Sequence, residues 1–293
     1  MSIPVGPTWS VAGTPEVGWA ATASARAFGV RMGIRVNDAS LLPKLLDRLP
    51  PRSRACSSPG DNPIRYSVIK EVDPMETHRE VRWRVFGGTQ LEAETRDEGE
   101  ALEAFERLVR FDVAQHSPRW TFVHAGAVGW NGRAILIPGA SYSGKSRLVE
   151  ALVRAGATYY SDEYAVLDAQ GRVHPFSKPL TLRRESGRVD RVTAGDIGGE
   201  LGSQPLPVGM VISTRYVPGT TQNLSDVSAG AALVALLTST VRAQIDPAHV
   251  LTTLARTVQE AVTLEGPRGE ALEMAEDLLR RASFTPPTIG ETA

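Results

Sequence analysis

The 293-residue sequence contains a single cysteine, Cys56. One cysteine excludes an internal disulfide and leaves zinc-cluster interpretations without their usual ligands. Long apolar runs are also missing. The least polar stretch, residues 229–241, is too short to span a bilayer and includes Gly, Thr and Ser, so it predicts a buried helix. We therefore expect no transmembrane segment and no membrane partner.

An excess of charge of one sign is lacking too. Lys and Arg number 32 and Asp and Glu 33, and the basic residues do not gather into one run. Nucleic-acid-binding proteins usually carry a basic patch, so a nucleic-acid partner is disfavoured. The first 25 residues contain no Lys or Arg and are interrupted by prolines, unlike a signal peptide. With the single cysteine, this pattern predicts a cytoplasmic protein.

The hydrophobic fraction of 42% and the charged fraction of 22% are those of an ordinary globular protein, and the length favours two domains. We place the boundary after Ser117, with an N-terminal α+β domain over 1–117 and the main domain over 118–293. Residues 1–24 predict a loose segment or an edge strand. The other expected elements of the first domain are strands at 28–36, 66–72 and 81–86, a helix from Asn37-Asp38 to Leu49, and a helix beginning near Asp97.

The second domain opens with a hairpin and a phosphate-loop motif. The strand-like runs 123–130 and 133–138 flank Asn131-Gly132, a dipeptide that suits a two-residue type I′ turn. An apolar strand then leads directly into a full G-x-x-x-x-G-K-[ST] match, whose expected helix ends at Gly156. The motif residues, all expected to bind the nucleotide, are Gly139, Ala140, Ser141, Tyr142, Ser143, Gly144, Lys145 and Ser146.

Such a loop binds ATP because its backbone N–H groups and the following helix N-terminus surround phosphate oxygens. Lys145 is expected to reach the β and γ phosphates, and Ser146 to offer its hydroxyl to Mg²⁺. The alternative to a nucleotide-binding loop is an ordinary glycine turn whose lysine lies on the surface. That alternative does not explain the Lys145-Ser146 pair.

An acidic pair, Asp162-Glu163, is expected to return to this loop. A helix over 146–155 rises about 15 Å, and a strand over 157–162 comes back about 17 Å. One carboxylate would accept the proton of an attacking hydroxyl while both help to hold Mg²⁺. A solvated turn is the alternative for the pair. Asp168, about 20 Å further along an extended strand, is interpreted as part of the next turn.

Two further candidates complete the predicted catalytic set. The register of a two-residue hairpin places His124 opposite Gly139, where an imidazole would orient or charge-balance the acid. A histidine satisfied inside the sheet is the alternative. Arg183, which follows a predicted strand, is a candidate for neutralising the transferred phosphoryl group, and surface solvation is its alternative.

The order of these features resembles the catalytic domain of HPr kinase/phosphorylase and the wider class of HPr-kinase-like serine kinases. The resemblance covers about 120–182 and rests on His124 in a strand, the hairpin, the phosphate loop and Asp162-Glu163. It implies an α/β P-loop kinase domain of the HPr-kinase/phosphoenolpyruvate-carboxykinase-like type, preceded by the smaller α+β domain. It also implies that Asp162 activates a serine hydroxyl, that Glu163 lies on the metal side and that His124 assists.

The leading hypothesis is therefore a kinase that uses ATP and Mg²⁺ and passes the γ-phosphate to a hydroxyl. Relatives of this type are associated with modifying peptide natural products, so the expected acceptor is a serine of a peptide or protein. The alternatives are a regulatory module that binds ATP without phosphoryl transfer and an enzyme resembling phosphoenolpyruvate carboxykinase. For the first domain we expect a role in recruiting substrate or in forming a homo-oligomer.

Overall fold

The computed structural model describes residues 17–57, 63–72, 80–139, 143–183 and 189–282, without the side chains of Arg183 and Val189. Three phosphate-loop residues, Ala140, Ser141 and Tyr142, lie outside the described residues. The chain divides into two compact units, Met1–Pro118 and Arg119–Ala293. Both contain helices and strands, so the protein is of the mixed α/β kind.

The first unit is built around one mixed sheet, in which β2 and β4 run parallel and the other neighbours antiparallel. The strand order among the described residues is β3-β1-β2-β4-β5-β6. Its elements are β1 (Ala21–Ala27), β2 (Val30–Val36), α1 (Leu41–Leu46), β3 (Arg54–Ala55), β4 (Ile64–Val72), β5 (Val81–Gly87), β6 (Gln90–Thr95) and α2 (Glu98–His116).

Local signals predicted α2 well and α1 poorly. The carboxylate of Asp97 accepts a hydrogen bond of 2.8 Å from Glu100 N and caps α2, as the acidic start indicated. The expected helix from Asp38 to Leu49 is wrong at both ends, since α1 spans Leu41–Leu46. It starts late because Asp38 accepts hydrogen bonds from the backbone and hydroxyl of Ser40 ahead of the helix. For residues 1–24 a loose segment or an edge strand was expected; 1–16 lie outside the described residues, and the end of the segment belongs to β1, which pairs with strands on both sides and is not an edge strand.

The second unit contains one large mixed sheet. Its strand order among the described residues is β11-β10-β7-β8-β14-β16-β15, with β9 also on β7 and with β12 and β13 as a separate pair. Its elements are β7 (Thr121–Trp130), β8 (Arg133–Pro138), α3 (Lys145–Arg154), β9 (Thr158–Ser161), β10 (Tyr164–Leu167), β11 (Val173–His174), β12 (Leu180–Arg183), β13 (Val189–Val192), a 3₁₀ turn (Gly195–Ile197), β14 (Val208–Tyr216), β15 (Ser225–Asp226), α4 (Ala229–Thr238), α5 (Pro247–Val258), β16 (Val262–Arg268) and α6 (Ala271–Arg281).

Helices cover both faces of this sheet. Apolar residues of α3 and α6 pack on one face, and those of α4 and α5 pack on the other. The expectation of a buried helix at 229–241 is wrong in part: α4 ends at Thr238, its fully buried residues are Ala232 and Leu236, and Val234 is 56% exposed. Helix α4 therefore covers the sheet with one stripe only.

Strands β8, β14 and β16 run parallel, so their carboxyl ends meet at one edge of the sheet. In open α/β sheets this edge is where ligands bind. The β7–β8 hairpin delivers His124 to the same edge, because Trp130 pairs with Arg133 and the register ends with Gly139 N donating to His124 O at 3.4 Å. The hairpin register predicted from Asn131-Gly132 is confirmed.

The hairpin turn gives a stability prediction. Asn131 and Gly132 have φ angles of 46° and 75°, the left-handed region in which a side chain is strained. We expect Gly132→Ala to lower the free energy of unfolding by about 1 kcal/mol or more. The matched change Asn131→Gly should alter it by less than about 0.5 kcal/mol, because glycine adopts this conformation without strain. Urea denaturation of both variants measures the difference, and equal stability would contradict the turn assignment.

Candidate functional site

The phosphate-loop segment joins β8 to α3 at the carboxyl edge of the sheet. Gly144 precedes α3 with φ 85°, and a Cβ at this position would press on Nη2 of Arg268. Glycine is thus required both by the backbone and by its neighbour. The apolar face of α3, with Leu148 and Leu152 fully buried, anchors the helix on the sheet. The helix N-terminus, whose first N–H groups have no partner within the helix, is thereby held at the loop.

Two polar side chains in this segment are buried. Lys145 is 7% exposed, and its Nζ donates a hydrogen bond of 2.7 Å to the carbonyl oxygen of Gly139. Burial lowers the pKa of Lys145 to about 8, against the opposing effects of Asp162 and Glu163. Ser143 Oγ is buried and has no hydrogen-bond partner within the described part of the chain. A buried hydroxyl without a hydrogen-bond partner is a group to which a bound ligand can supply that partner.

The carboxylate of Asp162 is the centre of the site. Its Oδ2 accepts hydrogen bonds from Ser146 Oγ at 3.0 Å and from Thr181 N at 3.4 Å. Its Oδ1 lies 3.0 Å from Tyr159 Oη and 3.0 Å from the ammonium of Lys178. A carboxylate offers about four lone-pair positions, so Asp162 is fully coordinated by its own protein. The contact with Ser146 places Asp162 beside the loop, as expected from the lengths of the helix and the strand.

Lys178 is a site residue that sequence reasoning missed. Its side chain is 8% exposed, and its Nζ lies 3.0 Å from Asp162 Oδ1 and 3.5 Å from Glu163 Oε2. The ammonium thus bridges both carboxylates of the acidic pair. The only sequence signal is one lysine directly before the strand that was expected at 179–182.

His124 lies among these charges. Burial first, and then the Lys145 ammonium, lower the pKa of His124, while Glu163 and Asp162 act in the opposite direction. Its imidazole is therefore neutral at pH 7. The ring also lies 5.9 Å from the ring of Tyr164, on the neighbouring strand β10. The structure brings together His124, Lys145, Ser146, Asp162 and Glu163.

Two further residues were considered in the sequence, Arg183 and Asp168. Arg183 ends β12, and its side chain lies outside the described residues. Asp168 lies in the turn that was expected: its Oδ2 accepts from Arg172 Nε and pairs with His174 Nε2, each at 2.9 Å. The backbone N–H of Gly171 donates to Asp168 O and closes the turn.

A groove of about 860 Å³ opens at the carboxyl edge of the sheet. His124 and Gly139 are among its lining residues. The other walls are formed by the ends of β14 and β16 and by the end of α4, over 213–215, 265–267 and 238–241. Its volume lies in the range of small-molecule and cofactor sites. A ligand in this groove would adjoin the phosphate loop.

The donor set fits a hard cation that is shared with a phosphate ligand. Ser146 and Asp162 supply oxygen atoms, and Glu163 lies beside them. Within the described ranges, no group of three or more His, Cys, Asp and Glu side chains could hold a metal by itself. Mg²⁺ in nucleotide sites takes few protein ligands and completes its shell with phosphate oxygens and water.

Comparison of the chain with known protein families and with curated proteins finds no match. No helix in the described part of the chain has the length and apolar character needed to cross a membrane.

The buried ammonium of Lys145 gives a pH prediction. Its folded pKa of about 8 lies below the ordinary 10.5, so the unfolded chain binds more protons between these values and stability rises with pH there. Relative to Lys145→Met, the wild-type free energy of unfolding should increase by about 2 kcal/mol from pH 8 to pH 10.5, after allowance for screening by water. Urea denaturation across this range measures the difference. Parallel pH profiles for the two proteins would show that Lys145 is not a desolvated amine.

The Lys178 ion pair gives a second prediction. Lys178→Met leaves two carboxylates without their shared cation, so we expect a loss of about 3 kcal/mol in unfolding free energy. The double variant with Asp162→Asn should lose less than the sum of the single variants, by about 1 kcal/mol or more. The pair that the exposed Arg154 forms with Glu150 serves as the control, and Arg154→Met should cost less than about 0.5 kcal/mol. Additive losses for Lys178 and Asp162 in chemical denaturation would contradict the coupling.

Proposed function

We propose that this protein is an ATP-dependent phosphotransferase that transfers the γ-phosphate of ATP to a hydroxyl group, with a serine of a peptide or protein as the acceptor. The observation that carries the proposal is the hydrogen bond from Ser146 to Asp162. It joins a phosphate-loop motif to an acid that lies 16 residues further along the chain. Lys145, on the same helix turn as Ser146, contributes the positive charge.

The phosphate groups of ATP would bind along the loop and the N-terminus of α3. Lys145 Nζ, which now donates to Gly139 O, would exchange this carbonyl for phosphate oxygens. Ser143 Oγ, buried and unsatisfied within the described residues, would gain a partner. The first change gives the ammonium an anionic partner, and the second gives the hydroxyl a charge-assisted hydrogen bond.

Mg²⁺ would be held by Ser146 and the acidic pair, where it would take the position that the Lys178 ammonium now occupies on Asp162, and it would neutralise charge on the phosphates. The hydroxyl hydrogen of Ser146 already points to Asp162, so a lone pair of its oxygen remains for a cation. Lys178 keeps Asp162 and Glu163 side by side before the cation binds.

In the reaction, the acceptor oxygen forms a bond to the γ-phosphorus and the bond from that phosphorus to the β–γ bridging oxygen breaks, which releases ADP. Asp162 would take the acceptor proton. The contact with Thr181 N, at 3.4 Å the longest of its four, is the position that the acceptor hydroxyl would replace. His124, as a neutral imidazole, would orient the acid, and Arg183 is retained as a candidate for neutralising the transferred group.

The acceptor would enter through the groove that His124 and Gly139 help to line. Its walls carry hydroxyl groups together with one cation, Arg215, and one anion, Glu265. One charge of each sign leaves this lining without a net charge, and its hydroxyl groups can pair with backbone amides, so it matches an amide-rich chain with few net charges. A polypeptide hydroxyl is therefore the acceptor that the groove favours.

Two substitutions test the mechanism. Lys145→Ala should weaken ATP binding by about tenfold or more, since it removes a charge-assisted contact to phosphate. Asp162→Asn should keep ATP binding and lower phosphoryl transfer by about 10²- to 10⁴-fold, because it removes the proton acceptor. ATP binding is measured by calorimetry, and transfer by ADP release and by mass spectrometry of serine-containing peptides encoded by neighbouring genes.

The matched control is Glu273→Gln, which makes the same chemical change at an exposed position of α6 and should leave both quantities unchanged. Full turnover by Asp162→Asn would overturn the assigned role of the carboxylate. Wild-type protein that binds ATP but neither releases ADP nor labels an acceptor would instead be a nucleotide-binding regulatory module.

A further inference from the structure

A chain of contacts leads from the phosphate loop to the end of β16. Arg268 is 2% exposed, and its Nη2 donates to the carbonyl oxygen of Gly144 at 2.9 Å. Its Nη1 donates to Gly269 O at 3.0 Å, and its Nε has no partner within the described part of the chain. The guanidinium is thus fixed directly beside the start of α3.

The same guanidinium supports an aromatic ring. Its central carbon lies 5.2 Å from the ring centre of Tyr216, which ends β14. The Tyr216 hydroxyl donates to Glu270 Oε1 at 2.9 Å. The ring is therefore held at its face by Arg268 and at its hydroxyl by Glu270. A side chain fixed in this way loses little further freedom when a ligand binds.

Tyr216 nevertheless remains 39% exposed. It is the one exposed aromatic side chain among the described residues of the second unit. Its Cβ lies 3.6 Å from the point that a Cβ on Gly144 would occupy, so the side chain begins in contact with the phosphate-loop segment. An exposed aromatic residue beside a phosphate site is a place where a base can stack.

We propose that Tyr216 is the platform on which the purine base of the bound nucleotide stacks, and that Arg268 positions this ring relative to the phosphate loop. The proposal rests on the proposed nucleotide-binding function and extends it to the base. Phosphates at the N-terminus of α3 leave the ribose and base to extend along the carboxyl edge of the sheet, where β14 adjoins β8. Arg215, the preceding residue, lines the acceptor groove and Tyr216 does not, so nucleotide base and acceptor would contact different parts of the end of β14.

Stacking on one ring selects for the size of the base rather than for its hydrogen-bonding groups. The ligand class is therefore a purine nucleoside triphosphate, with ATP and GTP bound more tightly than CTP and UTP.

The test compares ATP with inorganic tripolyphosphate, which carries the phosphate chain without a base. Calorimetry with Mg²⁺ present measures both ligands on wild-type protein, Tyr216→Ala and Tyr216→Phe. Tyr216→Ala should lose about tenfold or more in affinity for ATP and less than about twofold for tripolyphosphate, because stacking acts on the base alone. Tyr216→Phe should bind ATP nearly as wild type does, since the ring remains.

Any other result contradicts the proposal that the base stacks on Tyr216. Equal losses for both ligands in Tyr216→Ala would mean that the ring merely supports the loop, and unchanged ATP affinity would mean that the base lies elsewhere. Wild-type protein that binds tripolyphosphate as tightly as ATP would reject the base site and leave the phosphate site intact. Binding of neither ligand by wild-type protein would reject the proposed function as well.

Discussion

The site depends on one hydrogen bond, the 3.0 Å contact between the hydroxyl of Ser146 and the carboxylate of Asp162. Ser146 belongs to the first turn of α3, and Asp162 follows β9. Helix α3 crosses one face of the sheet and β9 returns on β7, so the contact closes a loop of chain around the buried core beneath it. Without this closure, the glycine-rich loop motif and the acidic pair would be two separate features of one fold.

Charge balance explains why such a polar site is buried. Removing a carboxylate or an ammonium from water is costly unless a partner of opposite charge lies close. Here Asp162 and Glu163 share Lys178, while Lys145 donates to a backbone carbonyl and is left with a lowered pKa. Lys145 is therefore the group whose environment most favours an anionic ligand. The acidic pair, by contrast, has one ammonium for two carboxylates, and the net negative charge that remains favours a cation.

Features encoded by neighbouring residues could be predicted from the sequence. Asn131-Gly132 determines the hairpin register, and the register determines that His124 meets Gly139. The lengths of α3 and β9 were enough to return Asp162 to the loop. Lys178 and Arg268 were not predicted, because their approach depends on the order of strands in the sheet and on contacts between distant segments. The exposure of α4 was misjudged for a similar reason: composition shows that a helix is apolar but not how much of it the sheet can cover.

The most direct measurement is a crystal structure of the protein with Mg²⁺ and a non-hydrolysable ATP analogue. We expect the terminal phosphate between Lys145 Nζ and the acidic pair, with Lys145 released from Gly139 O and the Ser146–Asp162 contact retained. An analogue bound elsewhere, with the Lys145 ammonium still on the Gly139 carbonyl, would contradict the assignment of this site to phosphoryl transfer.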